Sequence, residues 1–186
     1  MLQGFLRTPK IHEFNQLVAY LAQRRKKSLV KVPALGIDNS PLGGNYWLSG
    51  FIDADGGFKI RADGTRIECR FAIEQLQYHR ITNYPYEPLF SQIAHMLQVR
   101  LNRSTHHGRK YWRIESTGIK KLNILVDYLD SYPLMSSKLL DYQDWRRAHQ
   151  LMVEGRHLTS AGRCKIVSLK SNINNKRTCF DWNHIK

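Results

Sequence analysis

The amino-acid sequence predicts an α+β protein whose antiparallel sheet exposes one basic face. Residues 66–75 alternate apolar and polar side chains, as a half-buried strand does, and the segments around them have the apolar spacing of helices. The 186-residue chain carries 29 Lys and Arg against 15 Asp and Glu, a formal net charge of +14. Such a charge attracts polyanions, and we expect the partner to be nucleic acid.

Composition excludes several other classes of protein. With 42% hydrophobic residues the chain has enough apolar material for a core, which excludes intrinsic disorder. No run approaches the roughly 20 apolar residues of a membrane span, so we expect no membrane partner. Cys69, Cys164 and Cys179 lie far apart and form no CxxC pair, which excludes a disulfide framework and a zinc site and fits a reducing compartment.

We predict three parts along the chain. Residues 1–44 form an N-terminal linker segment with a short helix, which begins at Thr8 and Pro9. Residues 45–135 form the core, and residues 136–186 form C-terminal helices and a basic arm. The apolar stripe expected on the first helix consists of Phe14, Leu17, Val18 and Leu21.

Periodicity within the core predicts helix, hairpin, helix, hairpin, helix. Turn residues at 62–65 join the first two strands, and a polar loop at 103–109 precedes the return strand of the second hairpin. The predicted elements are a helix over 45–52, strands over 58–61 and 66–75, a helix over 89–97, a strand over 110–115 and a helix over 122–129.

Two further helices and an extended arm are expected after residue 136. The first helix has its apolar stripe at Leu139, Tyr142, Trp145 and Met152. The second has its stripe at Ala161, Cys164, Val167 and Leu169. Residues 170–178, rich in Asn and basic groups, form the arm.

Residues 47–56 are the most informative stretch. Ser49 and Gly50 are small residues on an apolar helix and allow a partner helix to approach closely. Asp53 and Asp55 follow at the helix C-terminus, where the helix dipole disfavours carboxylates. A divalent cation such as Mg²⁺ would stabilise them there, whereas the alternative is two ordinary turn-forming aspartates.

Residues 48–56, Leu-Ser-Gly-Phe-Ile-Asp-Ala-Asp-Gly, resemble the motif of the LAGLIDADG homing endonuclease family. The resemblance extends to intron-encoded, two-repeat members from fungal and algal mitochondria, and it implies a mitochondrial location. It also implies an αββαββα fold with a saddle-shaped sheet on nucleic acid, an N-terminal linker helix and a C-terminal helical extension. The other segments that resemble this group are 6–10, 35–42, 71–75, 132–138 and 174–178.

By this resemblance, Asp55 is a catalytic residue at the scissile phosphate and, with Gly56, a ligand of Mg²⁺. Gln75 is the second catalytic candidate, near the active-site water. The motif-helix interface is expected at Leu48, Ser49, Gly50, Ile52 and Asp53, with Asp53 also orienting its turn. Nucleic-acid contacts are expected from Lys59, Arg61, Arg66, Arg70, Arg109 and Arg113 on the strands and from Lys176 and Arg177 in the arm.

The sequence contains one such motif and resembles the C-terminal half of a two-repeat member. Cleavage in this family is expected to need one acidic residue from each of two motifs, so we expect a second motif-bearing half as a separate chain. A homodimer is disfavoured, because the linker between repeats is preserved. The alternative is an RNA-binding descendant that does not cut, either a group I intron maturase or a structural component of a mitochondrial ribosome that binds rRNA.

Overall fold

The computed structural model describes residues 6–24, 34, 36–64 and 66–183. These residues form six α-helices and four strands, which follow one another along the chain as α1, α2, β1, β2, α3, β3, β4, α4, α5 and α6. This order confirms the predicted αββαββα core and its flanking helices. The helices are α1 Lys10–Arg24, α2 Trp47–Asp55, α3 Glu87–Met96, α4 Ile119–Ser131, α5 Lys138–Val153 and α6 Ser160–Lys170. The strands are β1 Gly56–Asp63, β2 Arg66–Leu76, β3 Leu101–His106 and β4 Arg109–Ser116.

The four strands form one antiparallel sheet in the order β1-β2-β4-β3. Lys59 lies opposite Arg70 across β1 and β2, and Glu74 lies opposite Arg113 across β2 and β4. Because side chains alternate along each strand, these residues share the face that points away from the helices. None of the helices in the described ranges is long and apolar enough to cross a bilayer.

The hydrophobic core lies between the other face of the sheet and the helices. Phe71 and Ile114 of the sheet are fully buried, as is Trp145 of α5. The Phe58 ring lies 5.2 Å from the Trp145 ring and 5.4 Å from the Tyr142 ring, between centroids. The stripe predicted for α5 is therefore confirmed, and the C-terminal extension packs into the same core as the motif helix.

The stripe predicted for α6 is confirmed only at Leu169, and the stripe predicted for α1 is wrong. In α6 the buried residues are Gly162, Ile166 and Leu169, whereas Val167 is exposed. A Cβ at position 162 would lie 2.0 Å from the carbonyl oxygen of Arg156, so this close contact fixes the rotation of the helix. In α1 the one buried residue is Ile11, and the predicted Leu17 and Leu21 are exposed.

Side chains from the C-terminal extension cover the open edge of β1. Arg163 donates to the carbonyl oxygen of Gly64. Lys170 Nζ donates to the carbonyl oxygen of Ala62 at 3.2 Å, and Asn174 Nδ2 donates to that of Phe58 at 3.0 Å. The arm predicted as extended over 170–178 is only partly so, because Lys170 is the last residue of α6 and Asn174–Lys176 form a 3₁₀ turn. These donors satisfy backbone acceptors that no neighbouring strand reaches.

The segment before α1 is held against the start of the motif helix. Arg7 is buried, forms an ion pair with Asp38 at 3.1 Å and donates to the Ser40 hydroxyl at 2.6 Å. Its guanidinium lies over the Trp47 ring, 5.6 Å from the centroid. Two of the segments that resemble the family, 6–10 and 35–42, therefore meet here, while residues 25–33 between them fall outside the described residues.

Candidate active site and nucleic-acid interface

The motif helix passes directly into the first strand, because α2 ends at Asp55 and β1 begins at Gly56. A Cβ at Gly56 would lie 2.7 Å from Ile52 Cγ2 and 2.8 Å from the Ile52 carbonyl oxygen. A larger residue would therefore push the strand away from the helix. Glycine at this position sets where the two aspartates stand relative to the sheet.

Asp53 is fully engaged with the connection between α4 and α5. Its carboxylate accepts hydrogen bonds from the backbone N–H groups of Met135 at 2.7 Å and Ser136 at 3.1 Å, and from the Ser136 hydroxyl at 2.6 Å. Asp53 therefore orients a turn, as expected, but the turn lies more than 80 residues away from its own helix.

Asp55, the last residue of α2, is exposed. Gln75 Nε2 donates to its Oδ2 at 3.4 Å, while Gln75 Oε1 accepts from the backbone N–H of Leu76 at 2.9 Å. Within the described residues the Asp55 carboxylate has no other hydrogen bond or ion pair. The structure thus brings together the two predicted catalytic residues, which are 20 positions apart, and leaves the carboxylate open to solvent.

Lys138 at the start of α5 was not predicted as a site residue. Its Nζ donates to the carbonyl oxygens of Ile52 at 3.0 Å and Gly56 at 2.6 Å, so it closes the C-terminus of the motif helix. Burial lowers the pKa of Lys138, and the charges of Asp53 and Asp55 oppose that shift. The contact to Gly56 spans 82 residues, so spacing along the chain could not predict it.

The prediction of Gly56 as a metal ligand is wrong on this geometry. Its carbonyl oxygen accepts from the Lys138 ammonium at 2.6 Å, and that positive charge would repel a cation at the same oxygen.

Asp55 does fit Mg²⁺ as one member of a shared set of ligands. The ion binds proteins through one or two carboxylates and completes its shell with water and phosphate oxygens. The described part of the chain contains no group of three or more His, Cys, Asp or Glu side chains that could hold a metal by itself. Any such site therefore needs ligands from elsewhere.

The predicted motif-helix interface is corrected at three positions. Leu48, Ser49 and Ile52 are at most 1% exposed, because they face this chain's own core. The Ser49 N–H donates to the Tyr128 hydroxyl at 2.9 Å. These three side chains have no surface to offer to a partner helix.

The exposed side of α2 is formed instead by Tyr46, Gly50 and Ala54. They share one face because they are spaced four residues apart. Tyr46 is 56% exposed, and a Cβ at Gly50 would meet nothing within 4 Å. Gly50 is therefore the predicted interface position that the structure leaves accessible on the helix.

The six predicted cations of the strands all lie on the face of the sheet away from the helices, but they share it with carboxylates. Arg70 Nη2 lies 2.9 Å from Glu68 Oε1, and Arg70 Nη1 lies 3.3 Å from Glu115 Oε1. Arg113 pairs with Glu115 and lies 2.8 Å from Glu74 Oε2. Further along β1 and β2, Arg61 pairs with Asp63 and Arg66 with Glu68. The face has alternating charge, which the sequence analysis did not anticipate.

The pKa values of Glu68 and Glu74 are both lowered, which favours their ionised forms. Hydrogen bonds from Arg66 and Arg70 hold the pKa of Glu68 below its usual value against the effect of burial. Burial alone would raise the pKa of Glu74, but hydrogen bonds from Ser104 and Arg113 and the charges of His106 and Arg113 lower it.

A cleft of 410 Å³ opens on this face beside β1. Lys59, Arg61 and Arg70 line it, and Lys170 reaches it from α6. Lys170 is a cation of the interface region that strand patterns could not reveal, because it belongs to a helix that follows the core.

The predicted arm contact at Arg177 is wrong. Arg177 Nε lies 2.8 Å from Asp141 Oδ1, and its Nη2 lies 2.8 Å from Asp144 Oδ2, with 11% of the side chain exposed. The guanidinium anchors the tail to α5 and is not available to a polyanion. Lys176 beside it is exposed and stays a candidate contact.

Comparison with known families gives a match over this region. The family model described as "LAGLIDADG endonuclease" matches residues 48–149, more than half of the chain. The chain belongs to the LAGLIDADG endonuclease family. The matched range includes α2, the whole sheet and most of α5, so it covers Asp55, Gln75 and the charged face.

Curated relatives of this LAGLIDADG chain include intron-encoded proteins of fungi. The "Probable intron-encoded DNA endonuclease aI1" of Mycosarcoma maydis is 40% identical over 114 residues, which cover 61% of this chain and 93% of the relative. The "Intron-encoded DNA endonuclease aI3" of Saccharomyces cerevisiae is 25% identical over all of this chain. The chain spans 53% of that protein, about half its length.

Solved LAGLIDADG structures have the same fold. The meganuclease I-AabMI, solved bound to uncleaved DNA, is 31% identical and superposes with a TM-score of 0.57 over 69% of this chain and 44% of its own. I-GzeII, solved in complex with its DNA target, is 16% identical with a TM-score of 0.64 over 89% of this chain and 59% of its own.

Proposed function

We propose that this chain is the nucleic-acid-binding half of a LAGLIDADG homing endonuclease, which cuts double-stranded DNA with Mg²⁺ when a second motif-bearing half completes the active site. The observation that carries the proposal is Asp55. It stands open to solvent at the end of the motif helix, 3.4 Å from Gln75 and next to the charged face of the sheet.

The need for a second half follows from the chemistry. Asp55 would hold Mg²⁺ through its carboxylate, and the ion would supply activation of a water molecule and stabilisation of negative charge on phosphate oxygens. Asp55 supplies one open carboxylate, whereas that of Asp53 is taken up by hydrogen bonds from Met135 and Ser136. In this proposal Asp55 binds the ion, Gln75 orients a water molecule, and the sheet positions the duplex.

The names of the relatives support both the substrate and the location. I-AabMI was solved on uncleaved DNA, and the Saccharomyces relative is named a DNA endonuclease. A Schizosaccharomyces pombe relative, 31% identical over 83% of this chain, is named for intron 2 of cox1, a mitochondrial gene. We infer DNA as the polyanion and the mitochondrion as the compartment.

The proposal is tested by native pull-down of the tagged chain from its own organelle, followed by Mg²⁺ cleavage of the co-purifying DNA. Recovery of a second motif-bearing chain together with double-strand cutting is the expected result. Asp55→Asn should abolish cutting and leave binding nearly intact, whereas Asp127→Asn, an exposed carboxylate on α4, should change neither. Recovery of intron RNA or a ribosomal particle without cutting would overturn the proposal.

Pairing through α2 has a separate test at Gly50. A Cβ at position 50 meets no described atom within 4 Å, and Gly50→Leu removes a helical glycine, so the half itself should be slightly stabilised, by about 0.8 kcal/mol. The new side chain should nevertheless block approach of a partner helix and stop recovery of the second half. Gly118→Leu, also in open space, is the matched control. Normal pairing of the Gly50 variant would exclude this side of α2 as the surface that contacts the second half.

A further inference from the structure

Four of the six strand cations on the polar face are held by carboxylates. Arg61, Arg66, Arg70 and Arg113 each form an ion pair within the face, whereas Lys59 and Arg109 form none in the described part of the chain. Six cations and the four carboxylates Asp63, Glu68, Glu74 and Glu115 share this surface. The polar face therefore carries only a small part of the chain's net charge of +14.

The ion pairs at the centre are connected. Glu115 bridges Arg70 and Arg113, and Glu74 accepts hydrogen bonds from Arg113 and Ser104. His106 Nε2 lies 2.9 Å from Glu74 Oε1. Each central arginine contacts two carboxylates, so both guanidinium groups are fixed in position before any ligand arrives. A fixed side chain loses less conformational entropy on binding.

Such a surface is poorly suited to holding phosphates. An arginine paired with a carboxylate contributes little net charge, and the carboxylate repels phosphate oxygens. The same groups are suited to base edges in the major groove, because a guanidinium donates to the acceptors of guanine and a carboxylate accepts from the amino group of cytosine. The unpaired Lys59 and Arg109 retain full charge for phosphates.

We propose that Glu74 and Glu115 are specificity-determining residues of the DNA interface: they cancel the charge of Arg70 and Arg113 and hold these arginines toward base edges. This inference rests on the proposed function, because it requires duplex DNA on the polar face. In this proposal the central part of the face discriminates between DNA sequences. The unpaired cations Lys59 and Arg109 supply affinity for any duplex.

The first test measures binding to a random-sequence duplex as a function of salt, with Glu74→Gln, Glu115→Gln and the unmodified chain. Glutamine keeps the shape but removes one negative charge, so the partner arginine, which keeps its second carboxylate, is less neutralised toward phosphate. We expect tighter binding and a steeper plot of log affinity against log salt, by up to about 0.9 for each carboxylate removed. The control is Glu154→Gln, which removes a carboxylate paired with Arg156 beyond the end of α5.

The second test selects binding sites from a random duplex pool in a buffer without divalent metal, so that cutting plays no part. The unmodified chain should enrich a defined sequence, and Glu74→Gln and Glu115→Gln should enrich a less defined one. Circular dichroism confirms that the variants fold.

The outcomes separate the two proposals. If the unmodified chain binds duplexes but both glutamate variants match Glu154→Gln in salt dependence and selection, the division of the face is wrong and the endonuclease proposal stands. If the unmodified chain binds no duplex even at low salt, both proposals fail.

Discussion

The Asp53 carboxylate lies 2.6 Å from the Ser136 hydroxyl and so joins the end of the motif helix to the start of α5. Asp55, two residues further on, has a single long hydrogen bond among the described residues, from Gln75. The two acids of one motif therefore differ in kind: Asp53 holds the fold together, and Asp55 is left available for a ligand.

This difference predicts opposite effects of mutation on stability. Asp53→Ala leaves the N–H groups of Met135 and Ser136 without their acceptor and should lower the free energy of unfolding by about 2–3 kcal/mol. Asp55→Ala removes an exposed side chain and should change it by less than about 0.5 kcal/mol. Urea denaturation followed by circular dichroism measures both, and equal losses would contradict the assignment.

Arg177 and Lys176 are adjacent but should behave differently. Arg177→Ala leaves Asp141 and Asp144 without their shared cation, and we expect a loss of about 2–3 kcal/mol in stability. Lys176→Ala should leave stability unchanged and weaken duplex binding slightly. Thermal denaturation and a salt titration of each variant distinguish the roles. A stable Arg177→Ala chain with weakened binding would restore the original prediction of a contact.

Tyr128 should make stability fall at alkaline pH. Burial raises its pKa to about 12, from 10.0, although the hydrogen bond from the Ser49 N–H opposes the shift. Above pH 10 the unfolded chain loses this proton while the folded chain keeps it. The contribution of Tyr128 is therefore complete below pH 10 and is lost as pH rises toward 12, by about 2.7 kcal/mol in total.

The matched variant is Tyr128→Phe. It should be less stable at neutral pH by about 1–2 kcal/mol, because the hydrogen bonds to Ser49 and Asn45 are lost. Its free energy of unfolding should then fall less steeply between pH 10 and 12 than that of the unmodified chain. Identical slopes would show that Tyr128 does not titrate as the structure indicates.

Lys59→Ala and Arg70→Ala should not weaken binding equally. From sequence alone, each is expected to lower the salt slope on duplex DNA by about one unit, as a lost phosphate contact does. In the structure Lys59 has no carboxylate partner within the described residues, whereas Arg70 contacts Glu68 and Glu115. We now expect the full reduction for Lys59→Ala and a clearly smaller one for Arg70→Ala, measured on the same random duplex.

Local patterns predicted much of this fold. Alternation along 66–75 identified β2, and the stripe through Tyr142 and Trp145 identified the buried side of α5, because each pattern reflects contacts with one continuous core. The phase of α6 was missed, since the helix has few apolar residues and a backbone contact at Gly162 decides its rotation.

The site was predictable only in part. The family resemblance placed Asp55 beside Gln75, and the structure brings them together. The contact from Lys138 to Gly56 spans 82 residues and leaves no mark in any local pattern. The pairing of Arg113 with Glu74 depends on the register of β2 against β4, which spacing along the chain does not specify.

The side chains of Arg163, Lys170 and Asn174 on the carbonyl groups of β1 have a consequence for the behaviour of the protein in solution. An uncovered edge strand is a template on which strands of other molecules add, leading to aggregation. Shortening the chain at Thr159 to isolate the matched family region would remove all three donors. The shortened protein would be expected to self-associate through β1, so the extension protects solubility as well as completing the core.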